Sequence, residues 1–559
     1  MEGKEKYGRW TKESLIVRIE KLENEIRARD NPQSTSAAPT PVVHQRRGSR
    51  ERARNPEPFR KKEKEKRTFD PSRFSTRLVA FKLAYIGKNY GGFEFQVFSN
   101  LPTIEEELWK AFVKSCLISP ENPQEVRWDD FEYSKCGRTD RGVSAFGQVI
   151  ALRVRSNRPL PKKAAAVPAN EGDDPEAEKE PNQPAEEREF DDFTDELQYC
   201  RILNRLLPPD IRMLAWCPTT PADFSARHKC RERQYRYFFT QPAYSPCPES
   251  MRNPKSTNRV KDGWLDIDAM RNAAKRFEGL HDFRNFCKVD PGKNLISFDR
   301  RIFESDIVEV KDAGTALPYI STDEFRPHGA DTAVEASESY PKVYYFLVKG
   351  SAFLWHQIRC MVSAVFLVGQ GLEDPSIIDK LLDAKAEPRR PNYVLADEMP
   401  LVLWDCIFPE EDDPERKDAL EWCYVGEENP VNQHGLGGLV DTMWEYWRER
   451  KLDELLASQL LNIVSLQADI TLRKDRNAPR YASLTQRAFE GGNKERLIGK
   501  YQPVMSRARL PSPNGVFERE AKRRGFESLG AMREEAAKRR ARAIGDATIE
   551  DASEPVAES

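Results

Sequence analysis

Residues Lys135–Gly147 read KCGRTDRGVSAFG, and the meaning given to this stretch governs how the rest of the chain is read. Gly137 and Gly142 bracket the tip Arg138-Thr139-Asp140-Arg141. Glycine tolerates positive φ and lets a ligand come close to the backbone. Asp140 sits between two arginines, which favour its charged form relative to a reference pKa of about 3.9. An ionised carboxylate suits a nucleophile or proton acceptor, not a proton donor such as one member of a glycosidase pair. The same pattern also describes a surface turn with ordinary Asp–Arg ion pairs, and charge alone leaves both readings open.

Downstream of the tip, Val143–Arg155 has the alternation of a strand, with Ile150, Leu152 and Val154 on one face. Upstream, Leu78–Tyr85 (LVAFKLAY) is a second strand pattern, followed by the aromatic patch Tyr90–Phe95. Thr103 caps a helix that carries Glu105–Glu107 in its first turn and turns Leu108, Trp109 and Phe112 inwards. Further helices are expected over Glu196–Leu207, Leu265–Phe277 and Phe353–Gly369. Strands are expected over Asp210–Trp216, Gln234–Thr240, Arg301–Val310, Val343–Lys349 and Leu401–Phe408. The irregular alternation with hairpin-like pairs predicts an α+β fold and not a doubly wound parallel sheet.

The remaining chain divides by composition. Leu15, Ile19, Leu22 and Ile26 mark an amphipathic helix within residues 1–30, and residues 31–76 form a basic linker expected to be disordered. The folded body is placed at 77–409, with polar insertions at about 159–190 and 312–341. A partly helical extension spans 410–533, including a helix around Asp441–Leu461, and a charged tail closes the chain at 534–559.

The net charge of −2 hides strong segregation: Gln45–Arg67 holds eleven Lys/Arg against four Glu, whereas the charges of Asn170–Glu196 are almost all acidic. A near-neutral sum therefore leaves a nucleic-acid partner open. The ten cysteines show no C-x-x-C pair and no Cys/His ligand spacing, which argues against structural zinc and against a secreted disulfide scaffold. No apolar run reaches the roughly 20 residues of a membrane span, and MEGKEKYGRW has no hydrophobic signal stretch. A soluble protein of nucleus and cytoplasm, with no membrane partner, is the expectation.

The segment KCGRTDRGVSAFGQV resembles the catalytic motif of the TruA-like pseudouridine synthases, GRTDxGVxAxGQV, over about fifteen residues. Asn204–Ile211 (NRLLPPDI), Asp223–Arg227 (DFSAR) and Arg233–Tyr237 (RQYRY) are similar to further segments of that family, in the same order. Gly350–Arg359 (GSAFLWHQIR) resembles its A-F-x-x-H-x-x-R helix. The resemblance implies that Asp140 is the catalytic aspartate and that Arg138 helps to occupy the place of a flipped-out nucleotide. It implies that Tyr235 packs against the target uracil and that Arg359 pairs with Asp140. His356 is read as a hydrogen-bonded structural residue.

Within the family, the eukaryotic synthases of tRNA positions 38 and 39 look most similar, from Trp10–Glu23, Thr103–Phe112, Tyr133–Leu152 and Tyr501–Met505. The implied substrate is the anticodon stem-loop of tRNA; a multisite eukaryotic tRNA synthase and a non-catalytic tRNA-binding protein are the alternatives. The implied fold has two ferredoxin-like lobes sharing a mixed, largely antiparallel sheet, with helices packed on it and the active cleft between the lobes. No cofactor or metal is implied, in keeping with the lack of a P-loop or dinucleotide fingerprint. Bacterial relatives are homodimers, so a homodimer is weighed here too.

Overall fold

The computed structural model describes Arg18 and residues 69–538, apart from 98, 161–188, 247–259, 261, 293–294, 312–340, 411, 468–485 and 536–537. The expected N-terminal helix (apart from Arg18), most of the basic linker, the bulk of both insertions and most of the tail lie outside the described residues.

Ten strands of the described chain join one sheet: β1 Ser75–Tyr85, β2 Ser134–Lys135, β3 Ser144–Ser156, β4 Ile211–Cys217, β5 Glu232–Gln241, β6 Gly279–Asp282, β7 Asp299–Glu309, β8 Lys342–Gly350, β9 Leu401–Ile407 and β10 Cys423–Tyr424. Their order is β10-β4-β1-β3-β9-β5-β8-β7-β6, with β2 added to β3. Pairing is antiparallel throughout except between β3 and β9, which run parallel. The main helices are α1 Ile104–Lys114, α2 Tyr199–Asn204, α3 Ile267–Lys275, α4 Gln357–Gly369, α5 Leu439–Leu466 and α6 Pro513–Arg523. The fold is α+β with one large mixed sheet, as the alternation of elements predicts. Among the described residues no helix is long and apolar enough to cross a membrane.

Local chemistry explains the boundaries. Thr103 accepts the Glu106 amide at 3.2 Å and starts α1, as a threonine N-cap does. The helix expected from Phe353 begins only at Gln357. The cause is His356, whose φ of +60° cannot continue a right-handed helix towards the N-terminus. On β5 the period-two rule places Tyr235, Tyr237 and Phe239 on one face and Gln234, Arg236 and Phe238 on the other.

Two apolar clusters cover the sheet. One gathers Val79, Phe81, Trp109, Phe112, Leu152 and Trp216. The other gathers Tyr237, Phe277, Phe286, Phe346, Met361 and Phe366. Strand β9 belongs to both, giving Leu403 and Cys406 to the first and Leu401 to the second. Its register is what matters for function: Leu403 lies opposite Ala145 of β3 on one side and Tyr235 of β5 on the other.

Gly147 makes this seam possible. A Cβ there would stand 2.7 Å from both the Asp405 Cα and the Trp404 carbonyl oxygen, atoms of the β9 backbone. Close by, Lys82 of β1 reaches Asp405 of β9 with an ion pair of 2.8 Å, although β3 lies between the two strands. Gly147→Ala should therefore force β3 and β9 apart and destabilise the protein by about 1–3 kcal/mol, the usual cost of overpacking. Urea unfolding checks this; an unchanged midpoint would count against the tight seam.

Candidate active site

The Gly137–Gly142 loop leaves β2 and enters β3, and it is pinned along its length. Gln148, buried on β3, accepts the Gly137 amide at 3.1 Å and donates to the Gly137 carbonyl at 2.9 Å. One side chain thus satisfies both backbone groups of the residue that opens the loop. The Thr139 and Tyr85 hydroxyls share a buried hydrogen bond of 2.7 Å. The Phe93 amide donates to the Thr139 carbonyl at 3.1 Å, and Val143 donates to the Asp140 carbonyl at 3.1 Å. Only one of the two bracketing glycines needs its conformational freedom: Gly142 has φ of +79° and packs on Glu398, whereas Gly137 does not adopt positive φ.

Asp140, half-buried, projects from this fixed tip towards the segment just before α4. Trp355 Nε1 donates to Asp140 Oδ1 at 3.3 Å, and His356 Nε2 lies 3.4 Å from Oδ2. The Trp355 ring is itself held, with Lys288 Nζ 4.4 Å above it and the Lys288 amide donating to its carbonyl at 3.0 Å. Burial lowers the His356 pKa from 6.5 to about 4, helped by the positive charges of Arg359, Lys288 and Arg390. The imidazole is therefore neutral at physiological pH, and its contact with Asp140 is a polar one and not an ion pair. His356 Nδ1 is buried without a partner, so a tautomer with the proton on Nε2 presents a donor to the carboxylate.

Asp140, Arg138, Tyr235 and Arg359 all line one cavity of about 1160 Å³. Tyr235 sits against both apolar clusters, its ring edge-on to Phe353 at 5.2 Å. Burial raises its phenol pKa, so it stays neutral. Arg138 is nearly half-exposed and pairs with Glu94 at 3.2 Å.

Arg359 departs from expectation in its partner. Its Nη2 meets Glu398 Oε2 at 2.8 Å and its Nε donates to the Ala396 carbonyl at 2.7 Å. A largely buried guanidinium needs such partners, and the 396–398 segment supplies them beside α4. Glu398 also lines the cavity. Sequence reasoning left Gln148, Tyr85, Trp355 and Glu398 without roles and gave His356 a purely structural one. Gln148 is in the quoted motif; Trp355 and His356 stand four and three residues before Arg359, where a break in helical backbone was the missing clue.

Cationic groups crowd this cavity: Lys135, Arg138, Arg141, Arg227, Arg233 and Arg359 all reach it. A cleft of this size, with an aromatic wall and a cationic lining, accommodates a nucleotide and its phosphates.

Comparison with known proteins agrees with this chemistry. A family profile described as tRNA pseudouridine synthase matches residues 273–409, a span that contains Arg359 but not the Asp140 loop. The tRNA pseudouridine(38/39) synthase of Bos taurus is 36% identical over 452 residues, covering 79% of this chain and 76% of that protein. The protein of the same name from Saccharomyces cerevisiae is 36% identical, covering 73% of this chain and 72% of its own length. The tRNA pseudouridine synthase A of Methanothrix thermoacetophila is 27% identical over 55% of this chain.

The depressed His356 pKa has a consequence for stability. Folded protein withholds a proton that the unfolded chain accepts at pH 6.5 and below, down to the folded value of about 4. Unfolding thus takes up an extra proton in that window, and stability falls as pH drops through it. Urea unfolding of wild type and His356→Gln between pH 7 and 4 should show the wild type losing its relative advantage towards pH 4. A difference that stays flat with pH would contradict a neutral, buried His356.

Proposed function

The chain belongs to the TruA-like tRNA pseudouridine synthase family, and from that premise we propose that its site isomerises uridine to pseudouridine at positions 38 and 39 of the tRNA anticodon stem-loop. As a tRNA pseudouridine synthase the protein is an isomerase. The glycosidic N1–C1′ bond breaks, the uracil turns, and a C5–C1′ bond forms; C5 loses a proton and N1 gains one. The positions are those in the names of the eukaryotic relatives.

The observation that carries the site assignment is the convergence of Asp140, Tyr235 and Arg359 on one cavity from a loop, a strand and a helix distant in sequence. Asp140 is the reacting carboxylate. It acts on the sugar or the base, or removes a sugar proton; each route uses it ionised and aimed. Trp355 and neutral His356 aim it by donating to its two oxygens. Preorganised donors of this kind need no rearrangement during reaction.

The target base must leave its stack, which costs a few kcal/mol. Tyr235 offsets part of that cost by stacking, worth roughly 1–3 kcal/mol. Arg138, exposed at the loop tip, takes the place the base vacates or meets a phosphate. Arg359, already charge-balanced by Glu398, holds the substrate end of the cavity.

The finer architecture belongs to the same reading: two ferredoxin-like lobes either side of β9, with the cavity as the cleft between them. So does a homodimer. Its support is the run of exposed Leu456, Leu460, Leu461, Ile463 and Val464 on α5, since exposed apolar clusters mark association surfaces. A nuclear and cytoplasmic location completes the proposal; the basic run between Arg46 and Arg67 fits either nuclear import or added affinity for RNA.

Two experiments test the catalytic assignment. Asp140→Ala should remove pseudouridine from positions 38 and 39 in total tRNA while tRNA binding changes little. Unchanged modification would overturn the role of Asp140, and loss at other positions would overturn the site specificity. Trp355→Phe should lower kcat roughly tenfold or more with KM nearly unchanged, since a hydrogen bond to a charged group is worth about 1.5–3 kcal/mol. Wild-type kcat in that variant would remove Trp355 from the account.

A further inference from the structure

Behind the catalytic loop, and unused by the reaction, three cysteines from distant parts of the chain meet. Cys136 immediately precedes Gly137, Cys230 lies just before β5, and Cys406 is on β9. All three are buried, and their sulfur atoms lie within 4.8 Å of one another. Arg233 spans the cluster: its Nη2 donates to the Cys136 carbonyl at 3.2 Å and its Nη1 to the Cys230 carbonyl at 3.3 Å. In the β5–β9 register it lies directly opposite Cys406.

We propose that Cys136, Cys230 and Cys406 form a tri-thiolate site for Zn²⁺ set behind the catalytic loop. Zn–S bonds of about 2.3 Å in a tetrahedral arrangement put the sulfurs about 3.8 Å apart. No pair here has to close by more than about 1 Å to reach that. Charge selects the ion. Three thiolates and Zn²⁺ sum to −1, which the Arg233 guanidinium balances, whereas hard cations such as Mg²⁺ and Ca²⁺ prefer oxygen ligands. Three thiolates with monovalent Cu⁺ would leave −2 buried against one arginine.

Binding releases the thiol protons to solvent and involves no oxidation or reduction. Cys136 and Arg233 also line the active cavity, which gives the ion a way in and gives its fourth coordination position to water, as in zinc sites with three protein ligands. The sequence hid this site because its ligands come from three separate elements and have no local spacing. The ion would tie Cys136, the residue just before the loop, to β5 and β9, the strands that carry Tyr235 and Leu403.

The test uses the full-length protein without tRNA, so its outcome is separate from that of the catalytic assignment. Reduced protein is loaded with Zn²⁺, dialysed and assayed for metal by mass spectrometry. It is also loaded with Co²⁺ as a spectroscopic substitute. We expect about one Zn²⁺ per chain and an intense thiolate-to-Co²⁺ absorption in the near ultraviolet. Cys406→Ser and Cys230→Ser should each weaken metal affinity at least tenfold, while Cys217→Ser, outside the cluster, should not. Absence of the Co²⁺–thiolate band in wild type would overturn the proposal even if the variants fail to fold. So would an undiminished band in Cys406→Ser, or oxidation of two of the three cysteines to a disulfide in preference to metal uptake.

Discussion

The arrangement depends on one constraint, the double pairing of β9. This strand runs parallel to β3 and antiparallel to β5, and at Leu403 it faces Ala145 on one side and Tyr235 on the other. The strand that leaves the Asp140 loop and the strand that carries Tyr235 are therefore held one strand apart. Gly147 lets β3 approach β9 closely enough for this, because no side chain fits between its Cα and the β9 backbone. A one-residue slip would turn Tyr235 to the opposite face of the sheet. The buried clusters resist such a slip, since β9 supplies residues to each.

On that frame the charges are arranged in a way composition could not show. Trp355 donates to one Asp140 oxygen and His356 Nε2 lies 3.4 Å from the other, while Arg138, a near neighbour of Asp140 in sequence, makes an ion pair with Glu94. Arg359 makes its own pair with Glu398. Several of the cationic groups are thus already matched by acids within the fold. Such pairs are worth little at the surface but fix geometry when half-buried. For a polyanionic substrate the gain is that arginines are presented in defined places.

Much of this was legible in the sequence. The period-two pattern of QYRYFFT placed Tyr235 on the same face as the buried Tyr237 and Phe239. Thr103 and its following acids marked α1 correctly. The motif around Asp140 located the cavity wall. Other features were hidden for physical reasons. The backbone reversal at His356 is a φ of +60° in a non-glycine residue, which nothing in helix periodicity announces. The Glu398 partner of Arg359 lies far along the chain, and salt-bridge partners across such a distance have no local spacing. The cysteine cluster is the sharpest case: three isolated residues, each ordinary as a buried small hydrophobe, become a ligand set only once the fold brings the end of β2, the approach to β5 and strand β9 together.

The central claim is that the Asp140 carboxylate, held by Trp355 and His356 in the shared cavity, drives replacement of the uridine N1–C1′ bond by a C5–C1′ bond. That replacement expels the hydrogen at C5, so tRNA labelled with tritium at uridine C5 reports it directly. Under single-turnover conditions the wild-type protein should release tritium to water, in proportion to the uridines at positions 38 and 39. The isosteric Asp140→Asn variant should bind the same tRNA and release none. Tritium release by Asp140→Asn at a rate close to that of the wild type would contradict the account.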